Sequence, residues 1–265
     1  MWNVDHLVHY IETTPASAAE HMRQLGFHTA GGGSHTNWGT WNSLCYMDLT
    51  YIEWIGIEHG PVAEQSENAL IRQLVQDREY GEGLCQIALR TSSAEETASL
   101  LQQRGLSIQS IAPGMRRRPD GSMIQWSMLF VDSAETEVPL PFFIDWKQAD
   151  TERQEDLMRR GLLAPHPNGV TGIESVVYAV RSLEIADLWA HWFDAEATEA
   201  FQSDDLQGVC RAVSFANLNI LFCKPSGDGL AQQALETRGE RPFLVRYQGK
   251  NIPGQAQIYG STYIW

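Results

Sequence analysis

Positive charge is scarce in this chain: 19 lysines and arginines stand against 33 aspartates and glutamates, a formal net charge of −14 over 265 residues. Such a balance repels phosphate backbones and anionic lipid surfaces, so neither nucleic acid nor a membrane is an expected partner. Long apolar runs are missing too. No segment approaches the ~20 apolar residues of a membrane-spanning helix, and the opening Trp2-Asn3-Val4-Asp5-His6 lacks the basic and apolar blocks of a secretory leader. A cytoplasmic protein is the expectation. Cysteine is sparse: Cys45, Cys85, Cys210 and Cys223 each sit among apolar residues and none falls in a C-x-x-C. That excludes a zinc knuckle or a disulfide framework and leaves buried free thiols.

What the chain does have is apolar material, 43% of its residues, enough for a substantial core in one large domain or two modest ones. It also has a spacing that occurs twice. Asp5-His6-Leu7-Val8 is followed by Tyr51-Ile52-Glu53-Trp54, and Leu84-Cys85-Gln86-Ile87 by Phe143-Ile144-Asp145-Trp146. Each half sets a metal-ligating type of side chain on an early strand and a carboxylate on a late one. If the halves face each other, four such side chains converge.

The segments between repeat the same order. A strand is predicted over 4–11, then a helix over 17–25 opened by the capping box Ser17-Ala18-Ala19-Glu20 and stopped by Gly26. A short strand near Phe27, a glycine-rich turn and strands over 40–48 and 50–58 follow. The second copy runs from a strand over 84–91 through a helix that starts at Ser93-Ala94-Glu95-Glu96 and ends at Gly105. Its strands are 107–111, 123–132 and 141–147. A third copy is degraded: strand 172–180, helix 182–193, and strands 209–215 and 217–223, with Ser175 in the place of His6 and Leu221 in that of Glu53. The tail, 242–247 and 257–265, supplies strands without a helix, a truncated fourth copy. The organisation read from this is paired modules over 1–150, a linker helix and loop over 151–169, and a third module with the truncated fourth over 170–265. Residues 67–78 carry a further helical pattern.

Repeated β-α-β-β-β units with a His or Gln on the first strand and an acid on the last resemble the vicinal oxygen chelate superfamily. The segments Asp5-His6-Leu7-Val8, Gly32-Gly33-Ser34-His35-Thr36-Asn37-Trp38-Gly39-Thr40-Trp41-Asn42, Tyr51-Ile52-Glu53 and His166-Pro167-Asn168-Gly169 are similar to its glyoxalase-like domain branch. The resemblance implies an α+β fold of curved mixed sheets around a cleft. It also implies a divalent metal, Zn, Ni, Mn or Fe, held by His6, Glu53, Gln86 and Asp145, with Glu53 doubling as the proton-moving acid. Two features depart from the pattern. Asp145 is one methylene shorter than the usual Glu, roughly 1.5 Å of reach, and Gln86 gives the second unit's first strand no histidine, which argues against an iron dioxygenase. Gln86 and Asp145 as plain sheet residues is the competing reading.

Other residues also carry two readings. His35 and Asn42 either line the cleft and bind a polar ligand or serve a glycine-rich hairpin. Arg116, Arg117 and Arg118 either receive a carboxylate or phosphate or form a solvated turn. Trp126, with Trp38, Trp41, Trp54 and Trp146, belongs either to a pocket wall or to the core. His9 and His28 read as ordinary strand residues. The function expected is therefore a glyoxalase-like small-molecule enzyme, metal-assisted, acting by isomerase or lyase proton transfer on a substrate with vicinal oxygens. The alternative is a non-catalytic protein that sequesters a small molecule. A monomer and a homodimer are equally compatible with the sequence.

Overall fold

The computed structural model describes residues 2–118, 120–250 and 253–265. Its first unit is β1 (Asn3–Ile11), α1 (Pro15–Gln24), β2 (Ala30–His35), β3 (Thr40–Met47) and β4 (Thr50–Ile57). Two short helices, α2 (Gly60–Glu64) and α3 (Ala69–Asp77), lead to the second unit: β5 (Gly83–Thr91), α4 (Ala94–Gln103), β6 (Ser107–Arg117), β7 (Met123–Asp132) and β8 (Phe142–Asp145). Helix α5 (Asp150–Arg159) comes next. The third unit is β9 (Val170–Ala179), α6 (Ile185–Phe193), β10 (Glu196–Ala197), β11 (Phe201–Ser203), β12 (Gly208–Ser214) and β13 (Asn219–Pro225). After α7 (Leu230–Arg238), β14 (Pro242–Gly249), β15 (Gln255–Ile258) and β16 (Ser261–Ile264) form a fourth unit without a helix of its own.

Within each unit the first strand pairs in parallel with the last, and units join through their first strands, β1 to β5 and β9 to β14, both antiparallel. The result is two curled mixed sheets, ordered β2-β3-β4-β1-β5-β8-β7-β6 and β10-β12-β13-β9-β14-β16-β15 with β11 beside β12. Strand alternation gives each sheet two apolar faces. In the first sheet Leu7, Ile52, Ile87 and Phe143 face one way, into a large core shared with the second sheet and with α1, α4 and α6, where Trp189, Trp192 and Phe193 are buried. Val8, Ile55, Ala88, Phe142 and Ile144 face the other way, into the concavity.

Two local readings of the sequence shift. The first helix starts at Pro15 and is capped by Thr14, whose Oγ1 accepts from Ser17 N at 3.1 Å, so Ser17 is inside the helix rather than its cap. Proline at N1 favours the earlier start because its missing N–H is one the helix would leave unsatisfied there. Ser93 does cap α4, accepting from Glu96 N at 3.2 Å. The glycine-rich stretch expected to be a turn is the edge strand β2, bulged between Gly31 and Ser34.

The two sheets are tied by polar contacts as well as by the core. His9, on β1, has Nδ1 at 2.6 Å from Tyr263 Oη and Nε2 at 2.8 Å from Tyr259 O. The carbonyl can only accept, so Nε2 carries the proton and Nδ1 accepts from the tyrosine hydroxyl. Burial pushes the His9 pKa down to about 3, with Arg238 adding to the effect and the Tyr259 contact opposing it. His166 is likewise a structural imidazole: His28 N donates to Nδ1 at 2.9 Å and Nε2 donates to Tyr46 O at 2.9 Å. The four cysteines are buried free thiols.

Candidate functional site

The site begins with an irregularity in β1. Its pairing with β5 runs Val4 to Leu89 and then His6 to Ala88, which leaves Asp5 as an extra residue in a bulge. A bulge re-aims the side chain it carries. Asp5, which strict alternation would turn away from His6, instead has Oδ1 2.8 Å from His6 Nδ1. Its Oδ2 accepts from Arg90 Nη1 at 3.2 Å, Arg153 Nη1 at 3.1 Å and Trp146 Nε1 at 3.0 Å. Burial works to raise the Asp5 pKa, but the Arg153 guanidinium, His6 and Arg90 outweigh it and hold the carboxyl well below its usual range. An ionised carboxylate only accepts, so His6 Nδ1 carries a hydrogen and Nε2 is presented to the cleft. The imidazole is stacked on Tyr51, with centroids 4.6 Å apart.

Across from it, Glu53 Oε2 lies 3.6 Å from His6 Nε2. Glu53 Oε1 accepts from Asn42 Nδ2 at 2.6 Å, and Asn42 Oδ1 accepts from Gly33 N at 2.9 Å and, at the long end of the range, from Arg116 Nη1 at 3.5 Å. The glycine-rich string now has a physical reason. A Cβ on Gly32 would sit 1.7 Å from Asn42 Oδ1, so a glycine there gives the asparagine room to reach Glu53. His35 Nδ1 is 3.1 Å from Thr40 Oγ1. Burial pushes the His35 pKa down; Glu53 opposes and Arg116 adds to the effect.

This polar chain lies in a cleft lined by residues of β1–β4, the β6–β7 hairpin, α3 and α5. Trp38, Trp126 and Trp146 form a continuous wall, with centroids 5.9 and 5.8 Å apart in successive pairs. Helix α5, which reads as a linker, covers one side: Arg153 lies 4.3 Å from the Trp146 ring centroid, and Asp156 accepts from Arg118 Nη2 at 2.7 Å.

The structure therefore brings His6, His35, Asn42, Glu53, Arg116 and Trp126 to one cleft, and leaves Gln86 and Asp145 outside it. Gln86 is on the concave side of β5 but lies under α3: its Nε2 donates to Leu140 O at 2.8 Å and to Gln73 Oε1 at 3.2 Å, and its Oε1 accepts from Ile87 N at 2.9 Å. Asp145 fails for a different reason. Strand β8 turns Phe142 and Ile144 toward the cleft, so the next residue faces away, where it accepts from Lys147 N at 2.9 Å and Lys147 Nζ at 2.6 Å. The four side chains do not converge. Trp54 is core, whereas Trp38 and Trp146 share the wall with Trp126.

A resident divalent ion does not fit this donor set. Even catalytic zinc centres take three protein ligands, and among the described residues no cluster of three His, Cys, Asp or Glu side chains is placed to hold one. His6 and Glu53 make two, and the groups bonded onward from Glu53 are Asn42 and then the Arg116 cation, neither of which adds a third ligand of that kind.

Two residues of the site escape sequence reasoning. Asp5 is hidden by alternation, which only the bulge reverses. Arg153 is one charge in a helix whose composition reads as solvated, and nothing in its local sequence marks it as 5% exposed.

Paired β-α-β-β-β units with a cleft on the concave side of their joint sheet define the vicinal oxygen chelate fold. The chain belongs to the glyoxalase-like domain family, whose model matches residues 4–193. Among solved structures it is similar to a hypothetical protein from Staphylococcus aureus, 21% identical over 100% of this chain and 98% of that one, with a TM-score of 0.76. A mutant of 4-hydroxymandelate synthase from Streptomyces coelicolor is 10% identical over 93% of this chain and 70% of that one, at 0.57. A fusion of a xylose isomerase-like TIM barrel with a 4-hydroxyphenylpyruvate dioxygenase is 15% identical over 94% of this chain and 37% of that one, at 0.50. At these identities the likeness is one of fold. No curated protein matches the chain. Among the described residues no helix is long and apolar enough to cross a membrane.

Proposed function

We propose that the protein is a small-molecule enzyme of isomerase or lyase type that moves a proton on a substrate with two neighbouring oxygens. The observation that carries this reading is the pair in the cleft, Glu53 Oε2 at 3.6 Å from His6 Nε2, with the imidazole fixed from behind by the ionised, buried Asp5. Asn42 occupies Oε1 of Glu53, so Oε2 is the oxygen that faces the imidazole.

In this scheme Glu53 is the base and His6 the acid. Oε2 takes the proton from the hydroxyl-bearing carbon beside a substrate carbonyl. The C–H electron pair becomes a C=C bond, and the carbonyl π pair moves onto oxygen, where it takes the proton of His6 Nε2. Asp5 stabilises the imidazolium that precedes this step. For isomerisation, the neighbouring hydroxyl gives its proton back to Nε2 as Glu53 returns the carbon-bound proton one atom along. A positioned acid or base of this kind contributes about 10²–10⁴-fold.

The test is proton NMR in D2O with a set of 2-hydroxy ketones, 2-hydroxy aldehydes and thiol hemithioacetals of 2-oxo aldehydes. The protein should speed exchange of a carbon-bound hydrogen in at least one of them. Glu53→Gln and His6→Gln should each slow it by on the order of a hundredfold or more, and dialysis against a chelator should leave it unchanged. Exchange that survives Glu53→Gln refutes the scheme. So does exchange that chelation abolishes and a divalent ion restores, while binding with no exchange points to a sequestering protein.

A further inference from the structure

The chemical class of the ligand is written in the unequal treatment of the three cleft arginines. Arg153 has its own carboxylate in Asp5 at 3.1 Å, and Arg118 has Asp156 at 2.7 Å. Arg116 has none within ion-pair distance among the described residues; its acceptor is the neutral amide oxygen of Asn42, at 3.5 Å. It stands at one end of the polar chain that runs through Asn42 and Glu53 to His6. A second cleft-lining arginine, on helix α5, also has a donor without a partner: Arg153 Nη2 is buried and makes no hydrogen bond to the described residues. A guanidinium with an empty fork pairs best with a planar two-oxygen anion. Glu53, two contacts away, opposes a dianion.

The remaining wall selects shape. Trp38, Trp126 and Trp146 present a run of indole rings, continued by Ile124 and Met128 on the same side of the cleft. Aromatic faces and edges of this kind favour a flat ring over a chain of the same carbon number. Gly114 keeps the wall in place, since a Cβ there would sit 2.2 Å from the Trp126 ring.

We propose that the cleft takes an aromatic monocarboxylic acid, with its carboxylate on Arg116 and its ring against the tryptophan wall. The proposal rests on the cleft being the substrate site of the proton-transfer reading. It sharpens that reading, because the reacting carbon then lies between a carboxylate held at Arg116 and the Glu53–His6 pair.

Titration calorimetry with 3-phenylpropionate, 3-phenylpropionamide and nonanoate, an aliphatic acid of the same carbon number, tests it on the full chain. The aromatic acid should bind roughly tenfold or more tightly than either the amide or the aliphatic acid, the size of one charge-assisted contact or one ring face. Arg116→Gln should abolish the acid-over-amide preference, and Arg117→Gln, one residue along and exposed, should keep it. Trp126→Ala should abolish the preference for the ring; where that variant does not fold, Trp38→Leu should reduce it. Equal binding of acid and amide, a preference that survives Arg116→Gln, or no binding of the acid overturns the proposal. Glu53→Gln separates the two readings: it should keep the acid preference while losing hydrogen exchange. Acid binding without exchange in the wild type would then sink only proton transfer, and exchange on a neutral substrate with no acid preference would sink only this proposal.

Discussion

The buried imidazole of His9 makes the stability of the whole chain depend on pH in a way that one substitution can isolate. In the folded state His9 is neutral, and burial holds its pKa near 3 against 6.5 for the free side chain. Below pH 6.5 the unfolded chain therefore binds a proton that the folded chain refuses. Stability due to His9 is fully present above that pH and is lost as pH falls toward the folded value. Between pH 7 and pH 5 the loss comes to about 2 kcal/mol, and any folded pKa below about 4 gives nearly the same figure. The carboxylates and His166, whose pKa burial also lowers, titrate over part of the same range, so the total change is not the quantity to read. His9→Gln removes the titration while keeping an N–H for Tyr259 O. Urea unfolding of both proteins at pH 7 and pH 5 should show a pH-dependent loss about 2 kcal/mol larger in the wild type. An identical loss in both would mean that His9 is protonated in the fold, and the hydrogen-bond assignment to Tyr263 and Tyr259 would be wrong.

Further predictions concern the site. Asp5→Asn removes the carboxylate that faces Arg90, Arg153 and His6 from inside the fold, and should destabilise the chain by about 3 kcal/mol or more, read by urea unfolding at pH 7; a loss under about 1 kcal/mol would show that the arginines find other partners. Gly32→Ala places a Cβ 1.7 Å from Asn42 Oδ1, so its exchange rate in D2O should fall to that of Asn42→Ala, at a stability cost of about 1–3 kcal/mol; an unchanged rate would show that Asn42 does not position Glu53.

Much of the fold is legible in the sequence because each unit repeats the same punctuation: an apolar strand, a small polar cap, a glycine stop and more strands. The third unit keeps even the register. Ser175 pairs with Asn219 with Leu221 two residues on, as His6 pairs with Tyr51 with Glu53 two residues on. The second unit does not follow its own wording. The string Phe143-Ile144-Asp145-Trp146 looks like Tyr51-Ile52-Glu53-Trp54, yet Ala88 pairs with Phe142, and it is Phe142 and Ile144 that share the face Glu53 occupies. Matching by residue type slipped by an odd number of residues, and an odd slip turns every side chain to the other face of a sheet. The six cleft residues that were legible lie on β1–β4 and the long hairpin β6–β7, where alternation and glycine spacing carry the information. Asp5 and Arg153 depend on a bulge and on where a helix docks, and neither leaves a local mark.

The contacts of His9 have a consequence for how the chain is made. Its partner hydroxyl, on Tyr263, lies 254 residues further along, and Leu84 N, at the start of β5, donates to Ser261 Oγ 177 residues on. During synthesis the strands that carry His6 and join the two units leave the ribosome long before β16 exists. The central pair of strands in the first sheet therefore gains its last polar partners only when the C-terminal hairpin has been made, late in the order of sequential domain folding.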